Sequence, residues 1–168
     1  MSPLGSPLLF FKVREFIAHE TRLLQEGRFE EWLELFSSGV RYWMPITSVS
    51  DTRAGSESAT GALALYDDTF ATLKLRIERL RSRHAWTEIP PSRVRYFIEP
   101  YSIEQAGSEL KVASNVMVRQ CRLQKEDHLF TGYREDVLVE GPTGYTISER
   151  RIVMDEVVIQ AKNLTVFF

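Results

Sequence analysis

Apolar residues change their spacing abruptly within one short stretch of this chain, residues 26–45. The first half places apolar side chains at helical intervals, at Phe29, Trp32, Leu33 and Phe36. Beyond Gly39 every second residue is apolar or aromatic, which is the pattern of a strand with one buried face. The stretch therefore predicts a helix over residues 28–37 that leads directly into a strand over residues 40–46.

The same pattern along the chain predicts helices first and strands afterwards. Helices are expected over residues 11–26, 28–37 and 67–81, and strands over residues 40–46, 93–104, 109–124, 128–140 and 145–160. Gly27 should end the first helix, Pro100 should break or bulge a strand, and the Gly-Pro-Thr-Gly turn at 141–144 should join two strands as a hairpin. This order predicts an α+β fold, with the helices packed on one face of a curved, mainly antiparallel sheet.

We expect one domain over residues 1–168, because neither an internal repeat nor a second domain is visible. Residues 1–10 are expected to be a loose tail. Residues 47–61 are rich in Ser, Thr and Gly without periodicity, and this composition predicts an exposed, mobile loop. The linker after the third helix is stiffened by Pro90 and Pro91.

Charged side chains that are adjacent in a strand point to opposite faces of the sheet. Glu135 and Asp136 therefore cannot form one catalytic dyad. Arg150 and Arg151 are split in the same way, so one arginine faces the interior or an interface and needs a carboxylate partner. Asp155 is a candidate partner of Arg151.

Composition narrows the class of protein. The 168 residues are 43% hydrophobic, which suits one domain with a substantial core. A net charge of -2 without a basic block argues against a nucleic-acid partner. No apolar run approaches the roughly 18 residues of a membrane span. The single cysteine excludes an intrachain disulfide and fits a reducing compartment, so we expect a cytoplasmic protein.

Candidate catalytic and metal-binding residues are few. The side chains with metal-binding chemistry are His19, His84, His128 and Cys121. They lack the spacing of metal ligands, and no glycine-rich phosphate loop is present. Asp67 and Asp68 could form a carboxylate pair, but the positive start of the third predicted helix accounts for both. The sequence therefore predicts no catalytic, cofactor-binding or metal-binding residue on this chain.

Aromatic residues cluster instead. The set comprises Tyr42, Trp43, Trp86, Tyr96, Phe97 and Tyr101. Core packing accounts for most of them, because aromatic side chains bury large areas. The remainder, with Arg93 and Arg95 interleaved, has the composition of a protein–protein interface.

Seven collinear segments, spread over nearly the full length, carry a resemblance to a known family. They are HETRLLQEGRFEEWLELF at 19–36, RYWMP at 41–45, DDTFATLKLRIERL at 67–80, AWTEIPPSRVR at 85–95, GYREDVL at 132–138, ISERRIVMDE at 147–156 and NLTVFF at 163–168. In these segments the chain resembles the small (β) subunit of bacterial aromatic-ring-hydroxylating dioxygenases of the biphenyl, naphthalene and phenylpropionate type.

The resemblance implies a cone-shaped fold of the NTF2-like, SnoaL-like type and a non-catalytic role. It implies a large α subunit as partner, in an α3β3 assembly with a β trimer. That partner is expected to carry a Rieske [2Fe–2S] cluster and a mononuclear non-haem Fe(II), while ferredoxin and reductase serve the complex. A Rieske cluster takes two cysteines and two histidines as ligands, and a chain with one cysteine cannot supply them. The complex would cis-dihydroxylate an aromatic hydrocarbon or aromatic acid.

A subunit interface is then predicted where aromatic, proline and arginine residues fall in loops or at strand ends. Its predicted residues are Trp43, Met44, Pro45, Trp86, Pro90, Pro91, Arg93, Asn163, Phe167 and Phe168.

A different class of protein stays open, because the same cone fold hosts stand-alone dehydratases and isomerases. The acid–base candidates in that case are Tyr42, Asp68, Tyr66 and His84. A water-filled cone with a histidine–carboxylate pair would favour this alternative, and a cone filled by Phe, Leu and Trp side chains would count against it.

Overall fold

A computed structural model describes residues 5–46, 64–87, 92–122, 126–142, 144–156 and 166–168. Within this part of the chain the helices are α1 (Pro7–Glu26), α2 (Phe29–Leu33) and α3 (Phe70–Thr87). The strands are β1 (Phe36–Pro45), β2 (Ala64–Asp68), β3 (Arg93–Ala106), β4 (Glu109–Arg122), β5 (Glu126–Gly141) and β6 (Gly144–Met154). The predicted α+β organisation is confirmed.

The strands form one open sheet in the order β2-β1-β6-β5-β4-β3. β3 to β6 make a continuous antiparallel meander, and the predicted hairpin closes through the pair Gly141–Gly144. β1 lies beside β6 as a parallel strand and pairs with β2 on its other side. The register of β3 shifts between Pro100 and Ser102. Proline cannot donate to the ladder, so the predicted bulge is confirmed at this point.

Alternate residues of the sheet and one face of each helix enclose a single core. The ends of α1 follow from its sequence: the Ser6 hydroxyl accepts a hydrogen bond from the Leu9 amide at 3.2 Å, Pro7 opens the helix, and Gly27 ends it in the left-handed conformation. α1 packs against β3, while α3 packs against β1. The helices therefore cover the inner face of the sheet from both of its ends.

Several predicted boundaries are wrong, for local reasons. Residues 7–10 are helical and do not belong to a loose tail, because the Ser6 cap starts α1 early. α2 ends at Leu33, and Phe36 already pairs with Ile147 of β6. The predicted mobile loop at 47–61, the proline pair of the linker and the predicted end of the last strand at 157–160 lie outside the described residues.

The aspartate pair is also placed wrongly by the sequence prediction. Asp67 and Asp68 belong to strand β2, which pairs with β1, and α3 begins only at Phe70. Asp67 lies 2.9 Å from the Arg41 guanidinium and Asp68 lies 2.6 Å from that of Arg76. Ion pairing with neighbouring elements, and not a helix terminus, therefore accounts for both carboxylates.

Candidate functional site

The helices and the inner face of the curved sheet enclose a cone-shaped interior. Four charged side chains meet inside this cone and form what we call the buried charge cluster: Glu20, Arg134, Asp136 and Arg150. Arg134, Asp136 and Arg150 point inward because they occupy alternate positions of the neighbouring strands β5 and β6, while Glu20 projects from α1. Arg150 reaches Asp136 at 2.6 Å and Glu20 at 2.5 Å, and Arg134 reaches Glu20 at 2.5 Å. The Trp32 indole donates a further hydrogen bond to Glu20 at 3.1 Å.

Attraction within the cluster keeps Glu20 and Arg150 ionised. Burial alone raises the pKa of Glu20, but the charges and hydrogen bonds of Arg134 and Arg150 outweigh it and lower that pKa to about 2. Burial likewise lowers the pKa of Arg150, yet Asp136 and Glu20 raise it above its ordinary value. Two carboxylates and two guanidiniums together carry no net charge, so the cluster is an internally balanced element.

The sequence prediction of an inward arginine with a carboxylate partner is confirmed by Arg150 and Asp136. Glu135 points to the opposite face from Asp136, as predicted, and pairs with Arg151 at 2.8 Å. The suggestion of Asp155 as partner of Arg151 is therefore replaced by Glu135, which lies directly opposite Arg151 in the β5–β6 ladder.

The tail segment Val166–Phe168 fills the space beside this cluster. Its three side chains are 3%, 1% and 0% exposed. The Tyr42 hydroxyl donates to the carbonyl oxygen of Phe168 at 3.1 Å and accepts from its amide at 2.9 Å. Arg150 Nη1 donates to the same carbonyl at 3.0 Å. The described interior of the cone is thus filled by aromatic side chains and paired charges.

Three residues of the acid–base alternative have described side chains, namely Tyr42, Asp68 and Tyr66, and each contacts a neighbouring side chain or backbone group. The Tyr42 hydroxyl is occupied by Phe168, and burial raises the pKa of both Tyr42 and Tyr66, the wrong direction for a base near neutral pH. Asp68 pairs with Arg76, whose guanidinium also lies 3.7 Å from the centre of the Tyr66 ring. The side chain of His84 lies outside the described residues.

One open groove, of about 710 Å³, lies between α1 and strands β3 to β5. Its main charged pair, Arg14 and Glu99, forms an ion pair across the groove, and no histidine lines it. Among the residues that the structure describes, no three His, Cys, Asp or Glu side chains come together as a metal site. The groove thus lacks the acid–base pair that the alternative function requires.

The predicted interface residues separate into three groups. Met44, Phe167 and Phe168 are core residues of this chain, since at most 1% of each is exposed. Trp43, Pro45 and Arg93 keep accessible surface, and the Trp43 ring lies 4.7 Å from the Arg41 guanidinium and 5.5 Å from that of Arg151. The remaining residues lie outside the described side chains: Trp86, Pro90, Pro91 and Asn163.

The sheet order keeps the accessible members apart. Trp43 lies on β1 and Arg93 on β3, at opposite sides of the sheet and four strand spacings apart. That distance is roughly 19 Å along the sheet. Trp43 and Arg93 therefore do not form one continuous patch within this chain.

A second surface, which we call the outer sheet patch, consists of Phe97, Tyr101, Met117 and Leu129. These apolar side chains face away from the core and are 57%, 45%, 38% and 52% exposed. In the strand ladder Phe97 of β3 lies opposite Met117 of β4. Arg119 of β4 lies opposite Arg95 of β3 on one side and opposite Leu129 of β5 on the other. The sequence placed Phe97 and Tyr101 in a cluster of aromatic residues, part of which, with Arg93 and Arg95, has the composition of an interface, but it did not indicate which members. Met117 and Leu129 were not identified from the sequence.

Comparison with known proteins identifies the family. Residues 19–161 match the family described as Ring hydroxylating beta subunit. The chain belongs to this family of ring-hydroxylating β subunits. The chlorobenzene dioxygenase β subunit of Cupriavidus sp. (strain PS12) is 33% identical to it, over 97% of this chain and 90% of the relative. The resemblance to dioxygenase β subunits is thereby confirmed.

Solved structures share the fold of this β subunit. A chain of naphthalene 1,2-dioxygenase with indole bound in its active site superposes with a TM-score of 0.79 at 24% identity, over 92% of this chain and 83% of the other. An NTF2-like protein with a cystatin-like fold from Novosphingobium aromaticivorans superposes with a TM-score of 0.57 at 16% identity, over 86% and 80% of the two chains. The predicted NTF2-like fold is confirmed.

Proposed function

We propose that this β subunit is a non-catalytic, structural component of a dioxygenase that cis-dihydroxylates an aromatic hydrocarbon or aromatic acid. The observation that carries the proposal is the filled cone of a chain of this family. The buried charge cluster and the tail segment occupy the space that an enzyme of this fold would keep for substrate. A chain built in this way contributes rigid surface to a complex, and the chemistry belongs to another subunit.

The proposed partner is a large α subunit that carries a Rieske [2Fe–2S] cluster and a mononuclear non-haem Fe(II). A Rieske centre takes two cysteines and two histidines, whereas this sequence contains one cysteine in total. The iron centre of such oxygenases takes two histidines and one carboxylate with open positions. These donor requirements support the assignment of both centres to the partner.

We further propose an α3β3 assembly in which the β subunits form a trimer, supplied with electrons by a ferredoxin and a reductase in the cytoplasm. No described helix is long and apolar enough to cross a membrane. Among the contact residues predicted from the sequence, Trp43, Pro45 and Arg93 have described, accessible side chains and stay in the proposal. We add the outer sheet patch as a further proposed contact. Aromatic, methionine and arginine side chains are the types enriched in such contacts.

Co-expression tests the proposal. The chain is produced alone and together with the α subunit encoded by a neighbouring gene, recognised by its Cys-x-His and Cys-x-x-His spacing. Native mass spectrometry should find a complex with equal numbers of the two subunits, and ring dihydroxylation should require the α subunit. A β chain that stays monomeric and never co-purifies with an α subunit would contradict the proposal.

A further inference from the structure

The tail segment is held by side chains, as a bound peptide is, and not by pairing within the sheet. Val166–Phe168 belongs to neither a helix nor a strand, although it is buried. Its backbone groups bond to side chains: the Tyr42 hydroxyl and the Arg150 guanidinium hold the backbone of Phe168. Buried backbone normally pairs with other backbone, so this arrangement resembles a receptor with its ligand.

Each ring of the segment has its own aromatic pocket. The Phe167 ring centre lies 4.6 Å from that of Trp32 and 5.5 Å from that of Phe29, and the Arg76 guanidinium lies 4.8 Å from it. The Phe168 ring meets Phe130 edge to face at 5.6 Å. Such contacts favour aromatic rings over aliphatic side chains of similar volume.

Arg150 also supplies a donor to the segment. Its Nη1 lies 3.0 Å from the backbone oxygen of Phe168, while Asp136 and Glu20 accept its other hydrogen bonds. The site therefore holds a backbone oxygen by a charge-assisted hydrogen bond.

We propose that the cone is a binding site for an extended Phe-Phe peptide segment, occupied in cis by Val166–Phe168. When the two rings are removed from the chain, the site accepts a peptide of the same chemistry in trans. The segment contributes no strand to the sheet, so the strand pairing itself does not depend on it. This inference is independent of the proposed assembly with an α subunit.

The test uses the full chain with Phe167 and Phe168 both replaced by Ala. The blocked peptide acetyl-Val-Phe-Phe-amide should bind this variant, measured by calorimetry and by a rise in its melting temperature, and should not bind the wild type. Acetyl-Val-Leu-Leu-amide is the matched control and should bind at least about tenfold more weakly, since it lacks the ring contacts. Adding Tyr42→Phe to the variant should weaken binding of the aromatic peptide by about fivefold to tenfold, because both Tyr42 hydrogen bonds are lost.

A second variant provides the test if the double variant does not fold. If the double variant is unfolded and the aromatic peptide does not refold it, Phe168→Ala alone is titrated with 3-phenylpropionamide, which reproduces the ring, linker and carbonyl of Phe168. Binding that exceeds that of the cyclohexyl analogue by about tenfold supports the site. Equal binding of aromatic and aliphatic probes, or no binding to either variant, overturns it.

Discussion

At the scale of single residues, the pairing of each buried charge decides its effect on stability. Every nitrogen of Arg150 has a partner, in Asp136, Glu20 or Phe168. Arg134 makes one well-formed hydrogen bond, to Glu20, while its Nε lies 3.1 Å from Asp136 outside hydrogen-bond geometry and its Nη1 has no hydrogen-bond partner among the described residues. The two arginines are equally buried but unequally satisfied.

We expect Arg150→Met to destabilise the chain much more than Arg134→Met. Loss of Arg150 removes both hydrogen bonds to Asp136, one to Glu20 and one of the two to the backbone oxygen of Phe168, which should cost about 3–5 kcal/mol. Loss of Arg134 leaves Glu20 still bonded to Arg150 and Trp32, so its cost should be about 1–3 kcal/mol. Urea unfolding of the two variants measures the difference. Equal losses would contradict the unequal pairing.

The lowered pKa of Glu20 predicts how stability depends on pH. Its pKa falls from 4.5 to about 2 on folding, because Arg134 and Arg150 outweigh the effect of burial. A lowered folded pKa contributes stability above pH 4.5, and this stability is lost as the pH falls towards 2. The shift corresponds to roughly 3 kcal/mol.

Glu20→Gln isolates this contribution. The wild type should be more stable than the variant at pH 6 by several kcal/mol, and the difference should shrink as the pH falls from about 5 to 2. Glu31→Gln is the matched control, because Glu31 pairs with Arg28 at the surface, where ion pairs contribute about 0–1 kcal/mol. A constant difference between wild type and Glu20→Gln across this range would refute the assignment.

At this scale the sequence indicated only part of the cluster. Strand alternation was enough to turn one arginine inward and to separate Glu135 from Asp136. It could not bring Glu20 to Arg150, because the two residues are 130 positions apart and meet only when α1 packs across the sheet.

At the scale of elements, the sequence predicted the long antiparallel strands well and the short elements poorly. β3 to β6 carry a sustained alternation, whereas β2 has five residues and an alternation of half-buried and exposed positions. Such a strand forms because it pairs with β1 at the edge of the sheet, and periodicity in the sequence does not indicate this pairing. The parallel pairing of β1 with β6 depends on tertiary contacts in the same way.

The backbones of β5 and β6 approach closely at Gly132, so we expect an alanine to be tolerated there much less well than at Gly39. A Cβ at Gly132 would overlap the carbonyl oxygen of Val153 and lie 3.0 Å from the Cα of Met154, so backbone must move. We expect Gly132→Ala to lower the free energy of unfolding by about 1–3 kcal/mol. A Cβ at Gly39 in β1 meets nothing within 4 Å, and Gly39→Ala should leave stability unchanged or slightly raised. Thermal unfolding compares the two, and a harmless Gly132→Ala would show that these strands can separate without cost.

At the scale of the whole molecule, the two faces of the sheet have different roles. The inner face is filled by the core, the buried charge cluster and the tail segment. The outer face exposes the apolar side chains of Phe97, Tyr101, Met117 and Leu129. The fold could be predicted from the sequence. The outer sheet patch required the strand register, because alternation puts Met117 and Leu129 on the face opposite to Val116 and Phe130 but does not show which residues of the neighbouring strands lie beside them.

If the outer sheet patch is a subunit contact, a charge placed there should disrupt assembly without disturbing the fold. We expect Leu129→Glu to reduce co-purification with the α subunit, or self-association of the β chain, by at least about tenfold, because a carboxylate would replace an apolar side chain in the contact. Its melting temperature as an isolated chain should change little, since Leu129 is 52% exposed. Leu75→Glu on α3 is the matched control, because Leu75 is 50% exposed outside the patch. Size-exclusion chromatography and native mass spectrometry distinguish the two variants, and assembly that withstands Leu129→Glu as well as Leu75→Glu would exclude the outer sheet patch as a contact.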